Sequence, residues 1–103
     1  MIYYSIGEVM KDIILNDIKY ELITNIRDGY DSEEVKNKAT DYFIPFDYIV
    51  GDWAYGKLRL KGFYDKNNKN CKDINNIESL EKYIKENCAF NCKYFVLKKY
   101  VQR

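Results

Sequence analysis

Between Tyr48 and Tyr64 the chain reads YIVGDWAYGKLRLKGFY, and this stretch holds the residues best suited to bind something. Lys57, Arg59 and Lys61 recur at every second position, with Trp53 before the turn and Phe63 after the last cation. Side chains of a β-strand alternate between its faces, so the three cations share one side. Rings and cations on one flat surface suit single-stranded nucleic acid. Bases stack on the rings, at about 1–3 kcal/mol each, while phosphates meet the cations. Trp, Tyr and Arg also dominate protein-interface hot spots, so a protein partner would use the same surface. The plain alternative is a solvated strand face on which Arg59 lies over Trp53 as a cation–π pair.

Other reactive groupings are sparser. Arg27-Asp28-Gly29-Tyr30 places a guanidinium fork beside a glycine turn, which can clamp an anion; equally, Arg27 can pair with a carboxylate such as Asp52. Asp28, Asp52 and Asp65 could converge on a divalent cation for hydrolysis, although no spacing demands it. The three cysteines, Cys71, Cys88 and Cys92, are an odd count and lack the second Cys or His pair of a zinc site, so they read as reduced, partly buried thiols. The chain contains no histidine. That removes Ser-His-Asp and Cys-His nucleophile activation together with His-bearing zinc sites. No catalytic residue, metal site or cofactor is assigned.

These residues must be positioned by recognisable elements. DIIL and IKYELI flank Asn16-Asp17, residues that tolerate the left-handed region, and so predict a hairpin in which Ile18, Tyr20 and Leu22 share a face. Asp31 with Glu34 three residues on predicts a helix from about Ser32. Its stripe would be Val35, Ala39, Tyr42 and Phe43, and Pro45 would end it. A second hairpin follows, then a polar loop. Asn75 and Glu78 open a second helix with Ile77, Leu80, Ile84 and Cys88 inward. KYFVLKKYV is apolar on both faces at its centre and predicts an interior strand. Within the second hairpin, Gly56 is read as the left-handed residue of a bulge. That register sets Asp52 against Leu58, Val50 against Leu60 and Tyr48 against Gly62. Ile49, Trp53, Lys57, Arg59, Lys61 and Phe63 then face outward together, and Asp52 points inward in need of a partner.

At 103 residues, 47% hydrophobic and 32% charged, the chain fits one globular domain. Residues 13–103 are assigned to it and residues 1–12 to an N-terminal extension. A net charge of +1 gives no bulk attraction to polyanions, so nucleic-acid binding would rest on local pattern. No apolar run reaches the length of a membrane span and no secretory signal is legible, so the expected address is the cytoplasm. The element order β-β-α-β-β-α-β predicts an α+β fold. The expected sheet is mostly antiparallel and twisted, with a split βαβ-like core and both helices on one face.

Tyr20-Glu21-Leu22, Arg27-Asp28-Gly29-Tyr30, the Tyr48–Tyr64 stretch and Cys88-Ala89-Phe90-Asn91-Cys92 leading into YFVLKK stand in an order that resembles the YutD-like family. These are small proteins of low-GC Gram-positive bacteria. The resemblance covers about residues 18–99 and implies a small cytosolic α+β protein, with no activity, cofactor or site residue to carry over. The sequence therefore leads to a non-enzymatic binding module that meets RNA or a ribonucleoprotein through Trp53, Lys57, Arg59, Lys61 and Phe63, with Arg27 adjoining. A protein-interaction adaptor using the same aromatic surface is the alternative, and a carboxylate-metal hydrolase stands third.

Overall fold

In the computed structural model, which describes residues 11–87 and 92–100, both hairpins close through two-residue turns. Strand β1 (Lys11–Leu15) meets β2 (Ile18–Ile26) across Asn16 and Asp17, at φ 54° and 64°. Strand β3 (Tyr48–Ala54) meets β4 (Lys57–Phe63) across Tyr55 and Gly56, at φ 54° and 75°. Paired positive φ values define the mirror-image turn whose twist matches that of flanking strands. The first hairpin is the predicted one, with Ile13, Leu15, Tyr20 and Leu22 buried on one face.

The second departs from prediction. It has no bulge: Asp52 stands opposite Arg59, Val50 opposite Lys61, Ile49 opposite Gly62 and Tyr48 opposite Phe63. The faces therefore divide differently, with Ile49, Trp53, Leu58 and Leu60 on one side and Tyr48, Val50, Asp52, Arg59, Lys61 and Phe63 on the other. The amphipathic match that favoured a bulge presumes one wet face. Here both faces of this ribbon are covered, so the criterion loses its force.

Strand β5 (Tyr94–Lys99) lies in the middle of the sheet order β1-β2-β5-β3-β4. Phe95, Val96 and Leu97 are buried on both sides, as an interior strand requires. Strands β2 and β3 both pair antiparallel with β5 and so run parallel to each other across it. That is a split βαβ unit in which the last strand, rather than the hairpin's second arm, fills the gap.

The helices lie on opposite faces, not on one. Helix α1 (Ser32–Lys38) starts where Asp31 Oδ1 accepts from the Glu33 and Glu34 amides, at 3.1 and 3.2 Å. It stops at Ala39, six residues before Pro45, and Asn16 Nδ2 of the first hairpin donates to the Ala39 carbonyl at 3.0 Å. A short 3-10 turn (Asp41–Phe43) follows, which leaves Tyr42 outside the predicted stripe and exposed. Val35, Ala39 and Phe43 pack on Ile49, Leu58, Phe95 and Leu97. Helix α2 (Leu80–Asn87) is preceded by two 3-10 turns (Asp73–Asn75 and Ile77–Ser79), with Asn76, not Asn75, accepting from the Glu78 amide at 2.9 Å. Ile77, Leu80, Tyr83 and Ile84 cover Val50, Phe63 and Val96 on the other face. Two turns of helix are marginal alone, so this packing holds α2. Cys88, expected on the same stripe, lies outside the described residues.

Gly51 and Gly62 are seats for rings. A Cβ on Gly51 would collide with the Phe95 ring, and one on Gly62 with the ring of Phe46, rather than with Tyr48 as the bulged register implied. Among the described residues no helix is long and apolar enough to cross a membrane.

Candidate docking site at the turn end of the sheet

Strand register brings several reactive residues to one end of the molecule. Tyr94, at the start of β5, pairs with Ile26 at the end of β2 and with Asp52 near the end of β3. The turn after β2 and the tip of the β3–β4 hairpin therefore emerge together. Arg27 and Asp28 both adopt left-handed φ, 54° and 58°, which carries the chain sharply into Gly29. The Trp53 indole N–H donates to the Gly29 carbonyl at 2.7 Å and ties the two turns together. The Trp53 amide donates to Lys93 at 3.2 Å, and Lys93 Nζ lies 4.6 Å from the centre of the indole. Tyr30 meets Phe95 edge-on at 5.3 Å, with Lys11 Nζ 5.9 Å from its own centroid.

On the α2 face of this end, Asp52 is 1% exposed and its Oδ2 accepts from Arg59 Nη2 at 2.6 Å. The same guanidinium nitrogen donates to the carbonyl of Asn87, the last residue of α2, at 2.8 Å. A cation at a helix C-terminus is favourable, and this one joins α2 to β3 and β4. The hydrogen bond to Asp52 raises the Arg59 pKa further above its usual value. Nearby, burial first and the Asp52 charge second push the Tyr83 phenol up, with Arg59 opposing. Arg59 thus serves as the partner that Asp52 required, in place of the predicted contact with Trp53 or a pairing of Asp52 with Arg27.

The six residues predicted to form one surface do not form one. Arg27, Trp53, Lys57 and Arg59 gather at the turn end, but Trp53 is on the α1 side while Lys57 and Arg59 are on the α2 side. Phe63 is 0% exposed beneath α2, edge-on to Tyr83 at 5.5 Å. Lys61 is drawn inward above the same rings, 5.1 Å from Phe63 and 5.7 Å from Tyr83. A platform with Trp53 and Phe63 side by side is absent. The residue that sequence reasoning missed is Tyr55. It is 102% exposed at the hairpin tip, and an aromatic directly before Gly56 is the signal that a two-residue turn would have made readable.

The carboxylates of the hydrolase reading are also dispersed. Asp65 follows Phe63 at the far end of β4, about 20 Å from Asp52 at ~3.3 Å per strand residue, where its amide donates to Asp47 at 2.8 Å. Asp52 is committed to Arg59. Among the described residues no three His, Cys, Asp or Glu side chains gather to hold a metal. Cys92 is disulfide-bonded, against the expectation of reduced thiols, and Cys71 is free and half-buried. Desolvation, reinforced by Asp65, Asp73, Glu78 and Asp47, pushes the Cys71 thiol up, which lowers the fraction present as thiolate at neutral pH.

A family model described as "Putative antitoxin YutD-like" matches residues 14–98. The chain belongs to the YutD-like family. Its relative "Putative antitoxin YutD" of Bacillus subtilis (strain 168) is 45% identical over 87 residues, covering 84% of this chain and 96% of that protein. The solution NMR structure of the protein yutD from B. subtilis superposes with a TM-score of 0.76 at 41% identity, over 99% of this chain and 93% of that one. The YutD-like match takes in the first hairpin from Ile14, both turns of the candidate site and β5 to Lys98.

Proposed function

We propose that the chain is a protein-binding module that docks through the turn end of its sheet. Tyr55 is the anchor in this reading, with Lys57, Lys93 and the Arg27 turn around it. The observation that carries it is the state of Tyr55. Its φ of 54° is a conformation that costs an ordinary L-residue about 1–2 kcal/mol, and its ring is fully exposed. Asn, Asp or Gly would fill the position without strain. A strained aromatic at a hairpin tip buries none of its ring in the fold, and such outliers collect at functional sites. An exposed ring with Lys57 two residues on and Lys93 over the neighbouring Trp53 suits an acidic protein surface, since Tyr and Arg are frequent interface anchors.

The relatives' name supplies a kind of partner. An antitoxin opposes a toxin, and a chain organised around a docking tip would do so by holding it. The nucleic-acid reading needs two exposed rings on one face, and Phe63 is not exposed. A photo-crosslinking amino acid at position 55, introduced in the native host, tests the assignment. The expected result is a discrete adduct destroyed by protease and indifferent to ribonuclease, and absent when the probe is moved to exposed Lys36 on α1. A ribonuclease-sensitive adduct, or none, would overturn it.

A further inference from the structure

We propose that the free edge of β4 accepts an extended segment of a partner whose side chains alternate acidic and apolar. This goes beyond docking at Tyr55 and stands without it. Among the described residues β4 pairs only with β3. Lys57 closes the two-residue turn, so Lys57, Arg59, Lys61 and Phe63 exchange both backbone bonds with β3. The amides and carbonyls of Leu58, Leu60 and Gly62 then point away from the sheet, and no described backbone group meets them.

The next position in that series is already filled by the chain itself. The Tyr64 amide donates to Asn75 at 2.7 Å, and its carbonyl accepts from Ile77 at 2.9 Å, which forms a parallel bridge with Asn76. The edge is thus competent for strand addition, and three successive positions remain open. Beside them a recess of about 250 Å³ straddles the edge, lined among others by Tyr42, Phe46, Leu60, Gly62 and Ile74. Tyr42 and Ile74, 67% and 77% exposed, stand as its lips.

Charge selects the occupant. An added strand would set alternate side chains beside Lys57, Arg59 and Lys61, and the others beside Leu60, Phe46 and Tyr42. Acidic residues fit the first set and apolar residues the second. A second copy of β4 would bring the same cations against these, and like charges directly opposite are destabilising. The edge therefore rejects its own kind and admits a complementary strand.

The probe is an acetylated peptide alternating Glu and Val, compared with one alternating Lys and Val. The Glu peptide is expected to shift the amide resonances of Leu58, Leu60 and Gly62 and to slow their hydrogen exchange. The Lys peptide should bind at least about tenfold more weakly. Lys57→Glu, at an exposed site, should weaken the Glu peptide, and Leu60→Pro, which removes an outward amide together with the half-buried Leu60 side chain beside the recess, should abolish binding. Tyr55→Asn should leave peptide binding intact, which separates this edge from the hairpin tip. Equal or absent binding of the two peptides, shifts away from β4, or a dimer protecting these same amides would overturn the proposal.

Discussion

At the scale of single residues, the pair of buried Asp52 and partly exposed Arg59 at the turn end is the feature that sequence patterning handled least well. Asp52 looked misplaced because charged alternation was assigned to a wet face. The structure resolves it through direct cross-strand pairing with Arg59, itself 45% exposed. Removing the cation strands a buried carboxylate, a loss softened because Arg59 is partly solvated. Arg59→Ala should therefore cost on the order of 2 kcal/mol in urea unfolding, with Asp52→Asn/Arg59→Met recovering much of it. An unchanged midpoint for Arg59→Ala would remove the pair's assigned role. Trp53→Phe keeps the ring but loses the donor to Gly29. The expected cost is about 1 kcal/mol, with faster amide exchange around Arg27–Gly29. Uniform exchange across the molecule would show that the indole does not hold that turn.

Among the elements, those set by local chemistry were legible and those set by tertiary cover were not. The Asn16-Asp17 hairpin, the Asp31 cap and the interior character of Phe95-Val96-Leu97 each follow from a few neighbouring residues. The side of the sheet on which α2 lies does not, because Phe63 and Leu58 look equally apolar in a list. Placing α2 opposite α1 is what makes both sides of β3 and β4 interior, and it reverses the logic that chose the bulge. Gly62 was legible in kind, set against an aromatic, although the ring it seats is Phe46 and not Tyr48; the Phe95 ring over Gly51 was not legible. Gly51→Ala drives a Cβ into Phe95, which is 0% exposed. It should cost about 1–3 kcal/mol by denaturant unfolding. A neutral result would mean that β5 can shift, contrary to its place between two paired neighbours.

For the molecule as a whole, tyrosines set the alkaline limit. Tyr100 donates to Asp12 Oδ1 at 2.6 Å, and this hydrogen bond chiefly raises its pKa from 10.0 to about 12. Burial raises Tyr20, Tyr30, Tyr48 and Tyr83 in the same direction. Between about pH 10 and pH 12 the unfolded chain loses protons that the folded one keeps. The contribution is thus complete below pH 10 and declines as pH rises through that window. Thermal melts should fall steeply there, and less steeply for Tyr100→Phe; identical slopes would exclude the Asp12 contact as a cause.

Among the described residues the most exposed aromatic, Tyr55, sits in left-handed backbone, and the docking assignment turns on that conflict. The most direct measurement compares the wild type with Tyr55→Asn in two readouts: melting temperature, and affinity for the protein captured at position 55. Asn relieves the left-handed strain, so the variant should be more stable by ~1 kcal/mol. It should bind its partner on the order of tenfold or more weakly. A variant that binds as well as the wild type would contradict the assignment of Tyr55 as the anchor.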